Sequence, residues 1–250
     1  MEPQSLALDR LGHLYRPMKV GAWEMRVMQT VPCRGYWSDV VDVDTLPLLM
    51  RGDDTWMSLM PVEMESQILG VRAACGHVVI MGLGMGWVAA ETALRPEVTQ
   101  VTIIERDPDV IELHDELDLF AQLADGAGDK VRIIHDDAFE WQPDAPVDLL
   151  MPDIWLPLIG EDRLPDVRRM QENCQAKAIY FWGQELEIAR HAAAAGRRLD
   201  IEGVAATVRD FDLPVIIPDT SDYPGKIRRA AEQWMNDRWF DPSHAGLLQG

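Results

Sequence analysis

Apolar and polar positions change rhythm twice along the chain. Up to about residue 60, short β-prone runs ("WEMRVMQTV", "GYWSDVVDVDTLPLL", "RGDDTWMSL") alternate with turn formers, and Arg51-Gly52-Asp53-Asp54 reads as a turn. From Pro61 the segment "PVEMESQILGVRAA" has Pro at a first helical position, glutamates in the first turn and apolar Ile68, Leu69 and Val71, which predicts a helix. Strand-like and helix-like stretches then alternate. The predicted strands are "HVVIMG", "QVTIIE", "VRIIHD", "VDLLMPD" and "AKAIYFW". The predicted helices are "WVAAETALR", "DPDVIELHDELDLFAQL", a short one near "DAFEW", "LPDVRRMQENC" and "QELEIARHAAAAGRR".

Near-continuous apolar runs such as Val78 to Met81 and Val101 to Ile104 suit strands covered on both faces. The expected fold is therefore α/β, a Rossmann-like doubly wound and mostly parallel sheet preceded by a small β-rich N-terminal region. The expected division is 1–60 for that region, 61–220 for the Rossmann-like domain and 221–250 for a C-terminal helix and tail. Beyond residue 200, "VAAT" and "LPVIIP" read as further strands and "GKIRRAAEQWMNDRW" as the terminal helix.

Composition narrows the function. With 23 Lys plus Arg against 42 Asp plus Glu, the formal net charge of -19 argues against gripping a nucleic-acid backbone and favours small-molecule, cationic or protein partners. Cys33, Cys75 and Cys174 form no CxxC pair, so neither a disulfide framework nor a cysteine zinc site is expected, and a reducing cytoplasm fits. No stretch approaches the roughly 18 apolar residues of a membrane span, so the expectation is a soluble, cytoplasmic protein. The six histidines show no HxxxH or His/Cys ligand spacing, and no metal site is expected.

The chemistry concentrates at predicted strand ends. Gly82, Gly84 and Gly86 follow the first core strand as GxGxG, where glycine lets a backbone approach a ligand closely. The third small position of the dinucleotide fingerprint is occupied by Trp87, which disfavours NAD or FAD. Glu105, 19 positions after Gly86, ends the next strand, where an ionised carboxylate can accept from two ribose hydroxyls. "HDDAFEW" offers Asp137, or its neighbour Asp136, to an exocyclic adenine amine, with the Ala138 backbone at the ring edge. Asp153 closes the fourth strand.

The run GxGxG, "VTIIERDPDVIEL", "DDAFEW" and "VDLLMPDIW" resembles the ordered motifs of class I S-adenosylmethionine-dependent methyltransferases. Within them it is most similar to the spermidine synthase-like branch, whose strand-two motif has the form E-x-D-P-x-V-I. The similarity covers about residues 62 to 182. It implies S-adenosylmethionine, or its decarboxylated form, across the strand ends. Gly82, Leu83, Gly84 and Gly86 would lie by the amino acid part, Glu105 at the ribose, Asp136 or Asp137 with Ala138 at the adenine, and Asp153 near the transferred group, with Arg106 also among the cofactor-binding residues.

This chain departs from that branch by carrying Met85 and Trp87 where an acid is usual in the turn, and Ile154, Trp155, Leu156 and Pro157 after Asp153. Both departures remove groups that would hold a polyamine. Methyl transfer to an amine or hydroxyl of a small acceptor is therefore expected ahead of aminopropyl transfer, with a protein that binds the ligand without turnover as a further alternative. Asp153 is the candidate for orienting or deprotonating the acceptor, and Glu63 or Glu65 for complementing a cationic one. Aromatic walls are expected from Trp56, Trp141, Trp155 and Trp182 near the rim. The cluster Lys226, Arg228 and Arg229 opens the terminal helix, where positive charge is disfavoured, and is read as a solvated face or the partner of a carboxylate. A homodimer is the expectation from fold analogy.

Overall fold

The computed structural model describes residues 11–160 and 162–235. The first of two sheets is antiparallel and made of β1 (Met18–Val20), β2 (Trp23–Cys33), β3 (Val41–Arg51) and β4 (Asp54–Ser58) in sequential order. Arg51 pairs with Asp54 across the tight turn, in which Gly52 sits at φ +63°. Then comes helix α1 (Pro61–Ala73), its Pro at the first helical position and Glu63 in the first turn, as the sequence predicts.

The second sheet has five parallel strands: β5 (Gly76–Met81), β6 (Val98–Glu105), β7 (Val131–His135), β8 (Leu149–Pro152) and β9 (Ala178–Ile179), in the order β7-β6-β5-β8-β9. Their connections carry α2 (Trp87–Ala93), α3 (Pro108–Leu117), α4 (Leu164–Cys174) and, after β9, α5 (Gln184–Ala194), α6 (Ile201–Asp210) and α7 (Tyr223–Trp234). This is the Rossmann-like doubly wound fold. Val78, Val79, Val101, Ile103, Leu150 and Ile179 are buried in it, as strands covered on both faces require. No described helix is long and apolar enough to cross a membrane.

Four local expectations change. "VAAT" lies inside α6, because Asp200 caps the helix by accepting from the Gly203 N–H at 2.8 Å and Val204, Thr207 and Val208 recur at helical spacing on the buried face. "LPVIIP" makes a single parallel bridge, Ile179 to Val215, since Pro214 and Pro218 remove ladder donors. "AKAIYFW" contributes only Ala178–Ile179 as strand. "DAFEW" forms one turn, in which the N–H groups of Glu140 and Trp141 both donate to the Asp137 carbonyl. The cluster at the start of α7 has its carboxylate: Asp222 caps the helix and lies 3.2 Å from Arg229, while Lys226 covers the Trp37 ring at 4.5 Å.

Strand order sets the position of the cleft. The chain leaves β5 for β6 on one side, then returns to place β8 on the other, and a crevice opens where neighbouring connections diverge, beyond the carboxyl ends of β5 and β8. Gly82 and Asp153 stand at those two ends, and the Asp153 N–H donates to the Met81 carbonyl at 2.8 Å.

Candidate functional site

A cleft of about 340 Å³ lies over these strand ends, walled by the N-terminal sheet on one side. Its floor is the glycine turn. Gly82, Gly84 and Gly86 have φ of +103°, +50° and +73°, and the chain around them is so close that side chains would collide. A Cβ on Gly82 would overlap the Asp153 carbonyl oxygen, and one on Gly84 the Met57 sulfur. Gly82 and Gly84 line the cleft, as do Glu105, Arg106, Asp136, Asp137, Ala138, Asp153 and Glu63. The turn is further pinned by the buried His114, whose Nε2 lies 2.9 Å from the Gly84 carbonyl; burial pushes its imidazole down to about 4.

Glu105 is tied at both oxygens. Oε2 accepts from the Leu83 N–H at 3.0 Å and Oε1 from the Asp107 N–H at 2.8 Å. An ionised carboxylate has about four acceptor positions, so this pinning fixes its orientation and leaves capacity for two further donors. Asp137 accepts from the Phe139 N–H at 2.8 Å and holds the turn that carries Ala138. Asp136 is exposed, with its Oδ1 2.7 Å from the Asp137 N–H.

At the other end of the cleft, Asp153 Oδ2 accepts from Gln67 Nε2 at 2.8 Å. Burial raises Asp153 to about 7, opposed by the nearby Arg163 guanidinium and the Gln67 hydrogen bond. Burial, then repulsion from Asp153, raises Glu63 to about 8. Near neutrality the pair therefore carries less than one full charge, as expected when two carboxyls share a poorly solvated corner.

Glu65 lies elsewhere. It is buried facing the loop after β2, where Oε2 accepts from the N–H groups of Tyr36, Trp37 and Ser38 at 2.8, 2.9 and 3.2 Å. Residues two apart on a helix do not share a face, so α1 sends Glu63 to the cleft, Gln67 beneath it to Asp153, and Glu65 away from it.

Trp56, Trp155 and Trp182 line the cleft, where the sequence put aromatic walls, whereas Trp23, Arg51 and Asp107 in the lining are not singled out by sequence. Trp23 and Trp56 meet edge to face, 5.2 Å between centroids, with Arg51 over both rings; Trp23 Nε1 donates to Asp107 at 2.9 Å. Trp155 and Trp182 line the opposite wall, and behind them is Arg163, 3% exposed, with its guanidinium 4.9 and 4.6 Å from the two ring centroids. Arg163 donates to the carbonyls of Trp182, Pro157 and Leu158. These partners come from separate loops, so no spacing rule reveals them. Gln67 alone carried a signal, four residues after Glu63. Trp141 is buried and outside the lining.

No family model matches this chain, and no curated protein matches it either. Among solved structures, a DhpI–SAH complex is 20% identical over 44% of this chain and 50% of that one, with a TM-score of 0.33. The methyltransferase domain of a bacterial Hen1 is 14% identical over 46% of this chain and 64% of that one, TM-score 0.36. The mitomycin 7-O-methyltransferase MmcR is 22% identical over 46% of this chain and 32% of its own, TM-score 0.33. The similar stretch spans about half the length of DhpI. Each likeness covers less than half of this chain, and the fold stands on its own strand order and parallel pairing.

Proposed function

We propose that this chain is an S-adenosylmethionine-dependent transferase that moves a methyl group to an amine or hydroxyl of a small acceptor. One observation carries the reading. Glu105 ends the strand next to the glycine turn, both its oxygens are held in place by loop N–H groups, and Asp137, Ala138 and Asp153 face the same cleft from successive strand ends. That set of acceptors suits an adenosyl ligand. Glu105 takes the ribose hydroxyls, Asp137 with the Ala138 backbone takes the adenine edge, and the crowded turn Gly82 to Gly86 leaves backbone, rather than side chains, against the rest of the cofactor.

The bound cofactor supplies an already activated sulfonium methyl. What the chain must add is position and a route for a proton. Placement of two reactants in register is worth on the order of 7 to 11 kcal/mol. Trp155 and Trp182 form one wall of that corner, and rings present a π face that favours positive charge. Asp153, at about 7 and oriented by Gln67, accepts the acceptor's proton at neutral pH, while Glu63, at about 8, keeps its own and donates a hydrogen bond. A cationic acceptor would draw both carboxyls into their charged forms.

The β-rich region ahead of α1 and the glutamate that α1 presents to the cleft also support a relation to the spermidine synthase-like branch, and product analysis separates the two transfers. S-adenosylhomocysteine as product marks methyl transfer and methylthioadenosine marks aminopropyl transfer. Calorimetry with S-adenosylhomocysteine, methylthioadenosine and NAD on the wild type and Glu105→Ala tests the site itself. Micromolar S-adenosylhomocysteine binding, lost in Glu105→Ala, is the expected result. Binding of NAD alone, or equal affinity in the variant, would overturn the reading.

A further inference from the structure

Outside the cleft, Asp162, Glu187 and His191 bring one ligand atom each within 4.8 Å of one another. His191 Nε2 is 3.4 Å from Asp162 Oδ2 and 3.7 Å from Glu187 Oε2. Two donors at metal-ligand distance, about 2.1 Å from a tetrahedral ion, are about 3.4 Å apart. Glu187 and His191 are one helical turn apart on α5, and Asp162 stands just ahead of α4, so the three approach from two elements.

The middle residue makes the case. Glu187 is 1% exposed, yet its Oε2 accepts no hydrogen bond, and neither does His191 Nε2. A buried carboxylate oxygen without a hydrogen-bond donor is costly and calls for a cation. Two guanidinium groups are near. Arg190 Nη1, itself buried, pairs with Glu187 Oε2 at 3.6 Å, longer than a hydrogen bond, so a cation held by the triad would compete with it at close range; the Arg163 guanidinium is committed to three carbonyl oxygens.

We propose that Asp162, Glu187 and His191 form a binding site for a divalent transition cation of the zinc class, with water completing the coordination. One imidazole and two carboxylates suit a borderline ion better than Mg²⁺ or Ca²⁺, which favour oxygen donors alone. Its place in the fold assigns it a structural role. Asp162 adjoins Arg163, whose acceptors Pro157 and Leu158 lie in the same loop after β8, so a cation there clips that loop to α5 behind the cleft tryptophans. The site does not depend on what the cleft binds.

The test is titration of ZnCl₂ into tag-free, full-length protein freed of metal with EDTA and dialysed, for the wild type, His191→Ala and Asp162→Asn. The side chains of both substituted residues are about a third exposed, 32% and 37%, which favours folded variants. Circular dichroism checks this, and the variant that folds decides. The expected result is one site in the wild type and a Kd raised at least about tenfold in the variants. Loading with Co²⁺ should give the visible absorption of a four-coordinate ion in the wild type and none in His191→Ala. Failure to bind zinc, or equal binding by wild type and variants, would make the cluster an ion-paired triad with at most adventitious surface zinc.

Discussion

Replacing Glu63 by Gln removes one of two carboxyls in the cleft corner while keeping its size, and the consequence for stability depends on pH in a calculable way. In the folded chain Glu63 is pushed up to about 8 by burial and then by Asp153. In the unfolded chain it ionises in the ordinary carboxylate range, near 4.3. Between those limits the folded state keeps a proton that the unfolded state releases, so wild-type stability falls as pH rises. One retained proton is worth about 1.4 kcal/mol per pH unit. Gln lacks this penalty, so the variant gains on the wild type by about 3 kcal/mol from about pH 5.5 to about pH 8, or roughly 2 kcal/mol after allowing for solvent in the cleft. The gain stops above the folded value. Asp153, Glu185 and Glu187, each raised to about 7 by burial, bend both stability curves alike, and so does His114 with the opposite sign. They cancel in the difference. Glu63 still holds its proton while Asp153 ionises, so its removal leaves that titration in place. Urea unfolding of both proteins across this range measures the difference directly. A difference that stays flat with pH would mean that Glu63 is ionised throughout, and the shared-charge corner would be wrong.

Two further outcomes follow from the same geometry. Asp153→Asn should lose turnover under saturating substrate, together with the rise of kcat through about pH 7 that its titration imposes. Intact turnover would remove Asp153 from proton transfer. Arg163→Met should destabilise the fold by about 3–5 kcal/mol in denaturant unfolding, because three carbonyls lose their donor and Trp155 and Trp182 lose the cation between them. A loss below about 1 kcal/mol would show that solvent replaces the guanidinium without cost.

The parallel core was readable because its strands are fully covered and therefore apolar along their length. Val78 to Met81 and Val101 to Ile104 leave no other assignment, and the glycines at the first turn fix where the cleft opens. The strand ends were readable for the same reason, since Glu105 and Asp153 interrupt apolar runs. Short-range rules failed where long-range partners decide. Val204 and Thr207 have β-branched side chains that suit a strand, but the Asp200 cap and burial against neighbouring helices give a helix. Glu63 and Glu65 look alike in sequence, and only the rotation of α1 sends one to the cleft and the other to a loop. Arg163 draws its partners from loops on both sides of α4, and Met57, whose sulfur accepts from the Met85 N–H at 3.2 Å, reaches the glycine turn from a different sheet.

Glu65 has a consequence for how the cleft is entered. Its carboxylate gathers three N–H groups of the loop between β2 and β3, and the end of α7 closes on the same loop, where Trp234 Nε1 donates to the carbonyls of Gly35 and Tyr36 and Gln233 to that of Ser38. The antiparallel sheet is thereby riveted from two sides, by α1 and by α7. A sheet fastened this way serves as a fixed jamb rather than a swinging door, so this wall of the cleft keeps its place as ligands come and go.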